Sequence, residues 1–247
     1  VNDLAVGADG DDDPGSNRGA IHIMFMNTDG TVDETVEIND STANGPALGN
    51  HDRFGSSIAG IGDLNGDGVN DLAVGANLDD GTGAGQNKGA VHILFMNTDG
   101  SVDSTVEINN STTNGPTLVG GDVFGTSITN MGDLNGDGVN DIAVGAEKDE
   151  MDENGNSSGG NDRGAIHIML MNTDGSVDST VEFNDFTTNG PTLSNRDQFG
   201  TSIVNIGDLD GNGINDLAVG AHLDDMDENG NSSGGTNRGA IHILFLE

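Results

Sequence analysis

Short apolar runs alternate along the whole chain with stretches rich in Gly, Asn and Asp. Four apolar runs recur in a fixed order, and their first copies are VNDLAVGA from Val1, GAIHI from Gly19, TVEIN from Thr35 and FGSSI from Phe54. The Phe-Gly run returns at Phe124 and Phe199, after intervals of 70 and 75 residues. A long fixed period of this kind predicts a solenoid, an array or a propeller.

Each run has the features of a β-strand. The runs are rich in β-branched and apolar residues, lack helical spacing, and are bounded by Gly, Asn, Asp and Pro. The Asp99-Gly100 pair predicts a hairpin between the His-containing run and the Thr-Val-Glu run, because Gly accepts a positive φ. One period therefore predicts four antiparallel strands, in the order Phe-Gly, Leu-Ala-Val, Gly-Ala-Ile-His and Thr-Val-Glu.

Both faces of the third strand carry apolar side chains. Ile21 and Ile23 point to one face, while Ala20 and Met24 point to the other. Such a sheet must be covered on both sides, and radial stacking of blades provides both covers. The sequence therefore predicts an all-β fold, a β-propeller of four-stranded antiparallel blades. A β-helix uses shorter coils, and a sandwich does not repeat its sequence so faithfully.

The repeat boundaries divide the chain into two complete and two incomplete blades. We expect residues 1–53 to form strands two to four of a first blade with a linker, residues 54–123 and 124–198 to form complete blades, and residues 199–247 to form strands one to three of a fourth. Val1 aligns with Val69, inside an acidic loop. The chain is therefore interpreted as one propeller domain or a segment of a longer one.

An acidic loop separates the first two strands of each blade. In DLNGDGVND, positions 1, 3, 5 and 9 carry oxygen side chains, and position 7 offers a backbone carbonyl. This spacing matches the first half of an EF-hand calcium loop. The predicted Ca2+ ligands are Asp63, Asn65, Asp67, Val69 and Asp71; Asp133, Asn135, Asp137, Val139 and Asp141; and Asp208, Asp210, Asn212, Ile214 and Asp216.

Other interpretations of this loop are weaker. An ordinary Asx-rich turn does not explain three copies at one spacing. Zinc prefers Cys and His ligands, which the loop lacks, and magnesium usually keeps several waters.

Two longer loops and a repeated histidine leave alternatives open. An additional metal site or a solvated Gly/Ser loop fits Asp152, Asn154 and Asn156, and equally Asp225, Asp227, Asn229 and Asn231. His22, His92, His167 and His242 recur in the third strand, where packing is favoured over a metal ring because equivalent positions lie in separate blades.

Composition excludes several partners. The net charge is -35, with seven Lys and Arg against 42 Asp and Glu, so nucleic acid and anionic membrane surfaces are disfavoured. No apolar run approaches the roughly 20 residues that span a bilayer, so we expect no membrane insertion in this segment. There is no Cys, Trp or Tyr. The regular apolar runs argue against disorder.

The combination of a Phe-Gly strand, a calcium loop and a Gly-Ala element resembles the FG-GAP repeats of the integrin α-subunit propeller and its bacterial relatives. The resemblance covers essentially the whole chain. It implies a propeller, usually seven-bladed in integrins, with calcium bound between the first two strands of a blade. The matching positions here are the three ligand sets given above. Integrin repeats often carry Tyr where this chain has His22 and its equivalents.

These features favour a secreted or cell-surface module for adhesion or assembly over an enzyme. A catalytic site needs residues placed once, whereas nearly every polar residue here recurs, so we assign no catalytic residue. Modestly charged calcium sites fill where calcium is millimolar, as outside cells. We expect a protein or glycan ligand, or self-assembly, on the face opposite the calcium loops. The alternatives are a carbohydrate-binding module or a non-catalytic propeller part of a secreted polysaccharide-active or lipid-active enzyme.

Overall fold

A computed structural model describes residues 2–12, 15–81, 86–150, 161–225 and 237–247. Within these ranges the protein is all-β, with no helix. The first two sheets contain β1 (Leu4–Ala8), β2 (Ala20–Met26) and β3 (Val32–Ile38), then β4 (Phe54–Gly62), β5 (Asp71–Ala76), β6 (Ala90–Met96) and β7 (Val102–Ile108). The last two contain β8 (Phe124–Gly132), β9 (Asp141–Ala146), β10 (Ala165–Met171) and β11 (Val177–Phe183), then β12 (Phe199–Gly207), β13 (Asp216–Ala221) and β14 (Ala240–Leu244).

Each sheet is an antiparallel meander in chain order. The orders are β1-β2-β3, β4-β5-β6-β7, β8-β9-β10-β11 and β12-β13-β14, so two sheets have four strands and two have three. These sheets are propeller blades, and the described residues do not close a ring. The all-β propeller class predicted from the repeats is therefore confirmed. We number the sheets as blades one to four.

The hydrophobic core lies between the blades. Val91, Ile93 and Phe95 on one face of β6 pack in one buried cluster with Phe124 and Ile128 of the next blade. Two further clusters join blades one and two, and blades three and four. Since each inner strand is covered on both faces, it carries apolar side chains at successive positions instead of alternating with polar ones.

Neighbouring blades approach each other closely at paired glycines. A Cβ added to Gly75 would lie 2.1 Å from the carbonyl oxygen of Gly125, and one added to Gly145 would lie 2.0 Å from that of Gly200. The Ser57 hydroxyl donates a hydrogen bond to the same Gly125 oxygen at 2.7 Å. Backbone therefore packs against backbone where strand two of one blade meets strand one of the next.

This contact predicts a large cost for one added methyl group. Gly75→Ala should lower the free energy of unfolding by at least about 3 kcal/mol, because a backbone carbonyl cannot move aside as a side chain can. Urea denaturation followed by circular dichroism measures the change.

Gly220→Ala is the matched control for this substitution. Its Cβ would meet Ser202 Oγ at 2.5 Å, as Gly75 meets Ser57 Oγ at 2.4 Å, but it meets no backbone of a following blade. Equal losses for the two variants would show that the serine contact, and not the junction between blades, sets the cost.

Candidate metal centre

Three loops of the same form connect strands one and two of blades two, three and four. They occupy residues 63–70, 133–140 and 208–215. Because each blade is an antiparallel meander, these loops share one end of the molecule with the hairpin that follows β6, at residues 97–101. The connections at 39–53 and those between strands two and three lie at the other end. We call these ends the acidic-loop face and the opposite face.

The first carboxylate of each loop organises the backbone around it. Asp63 accepts hydrogen bonds from the amides of Gly66, Asp67 and Gly68 at 2.8, 2.9 and 2.9 Å. Gly66 and Gly68 have φ angles of 79° and 93°, which residues other than Gly rarely adopt. The same three bonds recur at Asp133 and Asp208. The Gly positions thus allow the chain to wrap around a carboxylate.

The third and fifth positions form a short polar chain. Asn65 Oδ1 accepts from the amide of Asp67 at 2.9 Å, and Asp67 Oδ1 accepts from the amide of Val69 at 2.8 Å. The Asn65 side-chain amide donates to the other oxygen of Asp67 at 2.8 Å. Asp67 is exposed and Asn65 is half-buried.

The ninth position is different, because its carboxylate is fully buried. Asp71 accepts from the amide of Leu64 at 2.9 Å and from that of Met96 at 3.0 Å. Burial raises the pKa of Asp71 and of Asp141, and the backbone hydrogen bonds oppose that rise. Asp141 and Asp216 make the same two bonds. This residue ties the loop to the end of the third strand.

The third loop brings three carboxylates together. One oxygen each from Asp208, Asp210 and Asp216 lies within 4.8 Å of the others. A backbone hydrogen bond from Gly213 lowers the pKa of Asp208, which keeps that group ionised. In the first two loops Asn65 and Asn135 stand at the third position, so an amide oxygen replaces one carboxylate. Asp208 Oδ1 accepts two amides, whereas Oδ2 accepts one, from Gly213, and therefore keeps a lone pair for a cation.

The structure describes some of the remaining predicted ligands, while others lie outside the described residues. Val69 and Ile214 pack against the core with their side chains, so only their backbone carbonyls are available. Asp225 accepts a hydrogen bond from the amide of Asn237 and closes the base of its loop. The other candidates for additional sites lie outside the described residues: Asp152, Asn154, Asn156, Asp227, Asn229 and Asn231.

Three of the four repeated histidines pack against a phenylalanine of their own blade, and two of these, His167 and His242, also lie beside a buried aspartate, Asp149 or Asp224. His92 contacts Phe54 edge to face, with ring centroids 5.5 Å apart, and His167 and His242 make the same contact with Phe124 and Phe199. Burial lowers the pKa of His92 to about 4, so this ring is neutral at physiological pH. Each of these three His residues thus packs against the Phe of its own blade's Phe-Gly strand.

The opposite face holds three buried pairs of carboxyl groups that the sequence patterns above do not predict: Asp52 with Asp79, Asp122 with Asp149, and Asp197 with Asp224. Burial first, and then the adjacent Asp79, raise the pKa of Asp52 to about 7. Burial, then Asp149, raises the pKa of Asp122 to about 8. Burial raises the pKa of Asp197 to about 6. The available signal was an Asp two residues before every Phe-Gly.

Comparison with known proteins identifies related chains. Residues 54–94 and 199–244 match the family model described as FG-GAP repeat. The chain is 34% identical over 177 residues to integrin alpha-PS5 of Drosophila melanogaster and 32% over 187 residues to integrin alpha-4 of Xenopus laevis, matches that cover 72% and 74% of this chain. It is 44% identical over 94 residues to human integrin alpha-11, covering 38% of this chain and 7% of that protein.

The chain spans only part of these relatives, 15% of the length of each of the first two. Among the residues that the structure describes, there is no helix with the length and apolarity needed to cross a membrane.

The carboxyl pairs predict a stability that falls as pH rises. A carboxyl with a raised pKa in the folded state binds its proton more tightly there than in the unfolded chain. Its stabilising contribution is complete below about pH 4 and is lost as pH rises through about 8. Asp122→Asn should flatten the decline in Tm between about pH 5 and about pH 9, because an amide does not ionise.

Thermal melts of the two proteins at fixed calcium measure this decline. Asp103→Asn, which removes an exposed carboxylate from β7, should keep the slope of the parent chain. Parallel Tm profiles for the parent and Asp122→Asn would show that the buried pair does not titrate in this range.

Proposed function

We propose that this chain, which belongs to the FG-GAP repeat propellers of the integrin α type, is an extracellular calcium-binding module for adhesion or assembly. The observation that carries the proposal is the loop that wraps its backbone around Asp63, Asp133 or Asp208 and leaves a second carboxylate exposed, that of Asp67, Asp137 or Asp210. The module is proposed to act through binding and not through catalysis.

Calcium suits the donor chemistry of these loops better than other common ions. All side-chain donors are oxygens from carboxylates and amides, and the seventh residue adds a carbonyl. A hard cation that takes six to eight oxygens is accommodated by such a flexible set, whereas zinc prefers nitrogen and sulfur. A bound ion would supply positive charge among carboxylates that otherwise repel one another. The proposed ligands are the three sets predicted from the sequence.

The buried ninth residue connects ion binding to blade stability. Asp71 holds the amides of Leu64 and Met96, so it joins the loop to the third strand. An ion held by this carboxylate and by Asp63 and Asp67 would fasten the loop to the blade interior. We therefore assign the ion a structural role.

Two observations support adhesion or assembly: the identity of the similar proteins, and the way in which the loops differ from one repeat to another. The similar proteins are integrin alpha chains. The acidic loops are nearly identical between repeats, whereas the connections between strands two and three vary in length and content. Variable loops on a rigid scaffold are the usual place for recognition. We propose that a protein or glycan ligand, or another copy of this chain, binds the opposite face.

The metal proposal predicts that chelation lowers stability. With free Ca2+ at about 100 times Kd, each occupied loop contributes about 2.7 kcal/mol, which excess chelator removes. Asp67→Ala should abolish binding to the first loop and reduce the chelator-dependent drop in Tm. Isothermal titration calorimetry and thermal melts measure the two effects.

Asp103→Ala is the control, because it removes one exposed carboxylate outside the loops. It should leave binding and the chelator effect unchanged. A parent chain whose melting curve is the same in calcium and in chelator would overturn the structural role of the ion.

If the ligand binds the opposite face, adhesion should depend on which face of the chain is attached to a bead. The chain has no cysteine, so a single introduced one gives a unique attachment point. Beads carrying the chain through Ala43→Cys, on the opposite face, should lose adhesion to immobilised glycans, basic proteins or the chain itself. Beads carrying it through Thr98→Cys, on the acidic-loop face, should adhere. Both positions are exposed. The reverse result would place recognition on the acidic-loop face.

A further inference from the structure

An asparagine in each of two acidic loops contacts the preceding blade. Asn140 lies between the seventh and ninth positions of the second loop, and its side-chain amide donates to the carbonyl of Ile61 at 2.8 Å. Asn215 occupies the same place in the third loop and donates to the carbonyl of Met131 at 3.0 Å. Both acceptors stand two residues before the first carboxylate of the preceding loop. Each bond therefore links an acidic loop to the end of the strand that leads into the preceding acidic loop.

A glycine beside each acceptor makes room for the amide. A Cβ added to Gly62 would lie 2.6 Å from Asn140 Nδ2, and one added to Gly132 would lie 3.6 Å from Asn215 Nδ2. Gly207, which has no following blade in this segment, would meet nothing within 4 Å. Gly62 directly precedes Asp63. The side-chain amide of each asparagine thus packs against the glycine that leads into the preceding acidic loop.

A second set of asparagine contacts runs beside the first. Asn130 donates to the carbonyl of Gly60 at 3.1 Å, and Asn205 donates to that of Asn130 at 3.0 Å. These residues lie near the ends of the first strands, where those strands run into the acidic loops. At the ends of β4 and of β8, two successive carbonyls therefore accept hydrogen bonds from asparagines of the next blade.

We infer that Asn140 and Asn215 couple cation binding between neighbouring acidic loops. This inference rests on the proposed function, since it requires the loops to bind Ca2+. Binding to the second loop would fix the carbonyl of Val139 and the carboxylate of Asp141, the two residues that flank Asn140. A fixed Asn140 holds the carbonyl of Ile61, and this positions Asp63 for the first loop. Asn140 and Asn215 are positioning residues, not ligands.

The coupling acts equally in both directions. A cation in the first loop orders Asp63 and the strand end before it, which favours the seated position of Asn140. Linkage requires that the two loops change each other's affinity by the same factor. The free energy of one neutral hydrogen bond sets the size of this coupling, and it corresponds to a change in Ca2+ affinity of about fivefold.

A double-mutant cycle read by NMR tests the coupling. The amides of Gly66, Gly136 and Gly211 each report Ca2+ titration of one loop. Asp137→Ala removes a ligand from the second loop while leaving the backbone bonds of Asp133 in place. In the parent background it should weaken Ca2+ binding at the first loop about fivefold. In the Asn140→Ala background the same change should have no effect at the first loop.

Two further variants give the cycle its controls. Asn215→Ala should preserve the coupling between loops one and two and abolish that between loops two and three. Asn70 stands at the equivalent place in the first loop, where its side chain has no hydrogen-bonding partner in the part of the chain that the structure describes. Asn70→Ala should therefore leave both couplings intact.

The outcomes separate this inference from the function on which it rests. If Asp137→Ala weakens Ca2+ binding at the first loop equally in the parent chain and in Asn140→Ala, the inference is wrong although the loops bind Ca2+. If none of the three glycine amides responds to Ca2+ in the parent chain, the proposed function is wrong. If Asn140→Ala does not fold, the Asn215→Ala cycle decides the question at the other junction between blades.

Discussion

The close approach of strand two of one blade to strand one of the next is the constraint on which the rest of the structure depends. At Gly75 and Gly145 a carbonyl oxygen of the next blade lies where a side chain would stand. This contact sets the spacing of the blades, and the spacing lets Val91 and Ile93 meet Phe124 in one buried cluster. It also brings the ends of β4 and β8 within reach of an asparagine from the next blade. Blade stacking, core packing and the contacts between loops therefore share one geometric cause.

A chain with a net charge of -35 folds because many carboxylates serve as acceptors for its own backbone. Asp63 satisfies three loop amides, and Asp71 satisfies two from separate segments. Such bonds favour the charged form of a carboxylate, while burial and neighbouring carboxylates oppose it. The chain resolves this conflict in two ways. The acidic-loop face leaves oxygens exposed to a cation, and the opposite face keeps Asp52 and Asp122 protonated to higher pH.

The sequence predicts the strands, their order and the propeller class because these depend on local patterns that recur along the chain. The acidic loops are predictable for the same reason, since the hydrogen bonds to their first, third and fifth residues join positions two to five apart. The carboxyl pair of Asp52 and Asp79 and the bond from Asn140 to Ile61 depend on residues in different strands or blades. Only the three-dimensional stack shows which residues become neighbours. The identity of the bound ion and the ligand assignments remain predictions.

Nearly identical repeats acquire different properties from their neighbours. Val91 is fully buried between blades two and three, whereas Ile241 at the equivalent place in blade four is 74% exposed. The asparagines of the acidic loops follow the same rule, since Asn140 and Asn215 reach a preceding blade. Blade three alone among the described blades both donates such a bond, from Asn140, and accepts one, at Met131. The acidic loop of blade three therefore contacts the end of β4, and the end of β8 contacts the acidic loop of blade four.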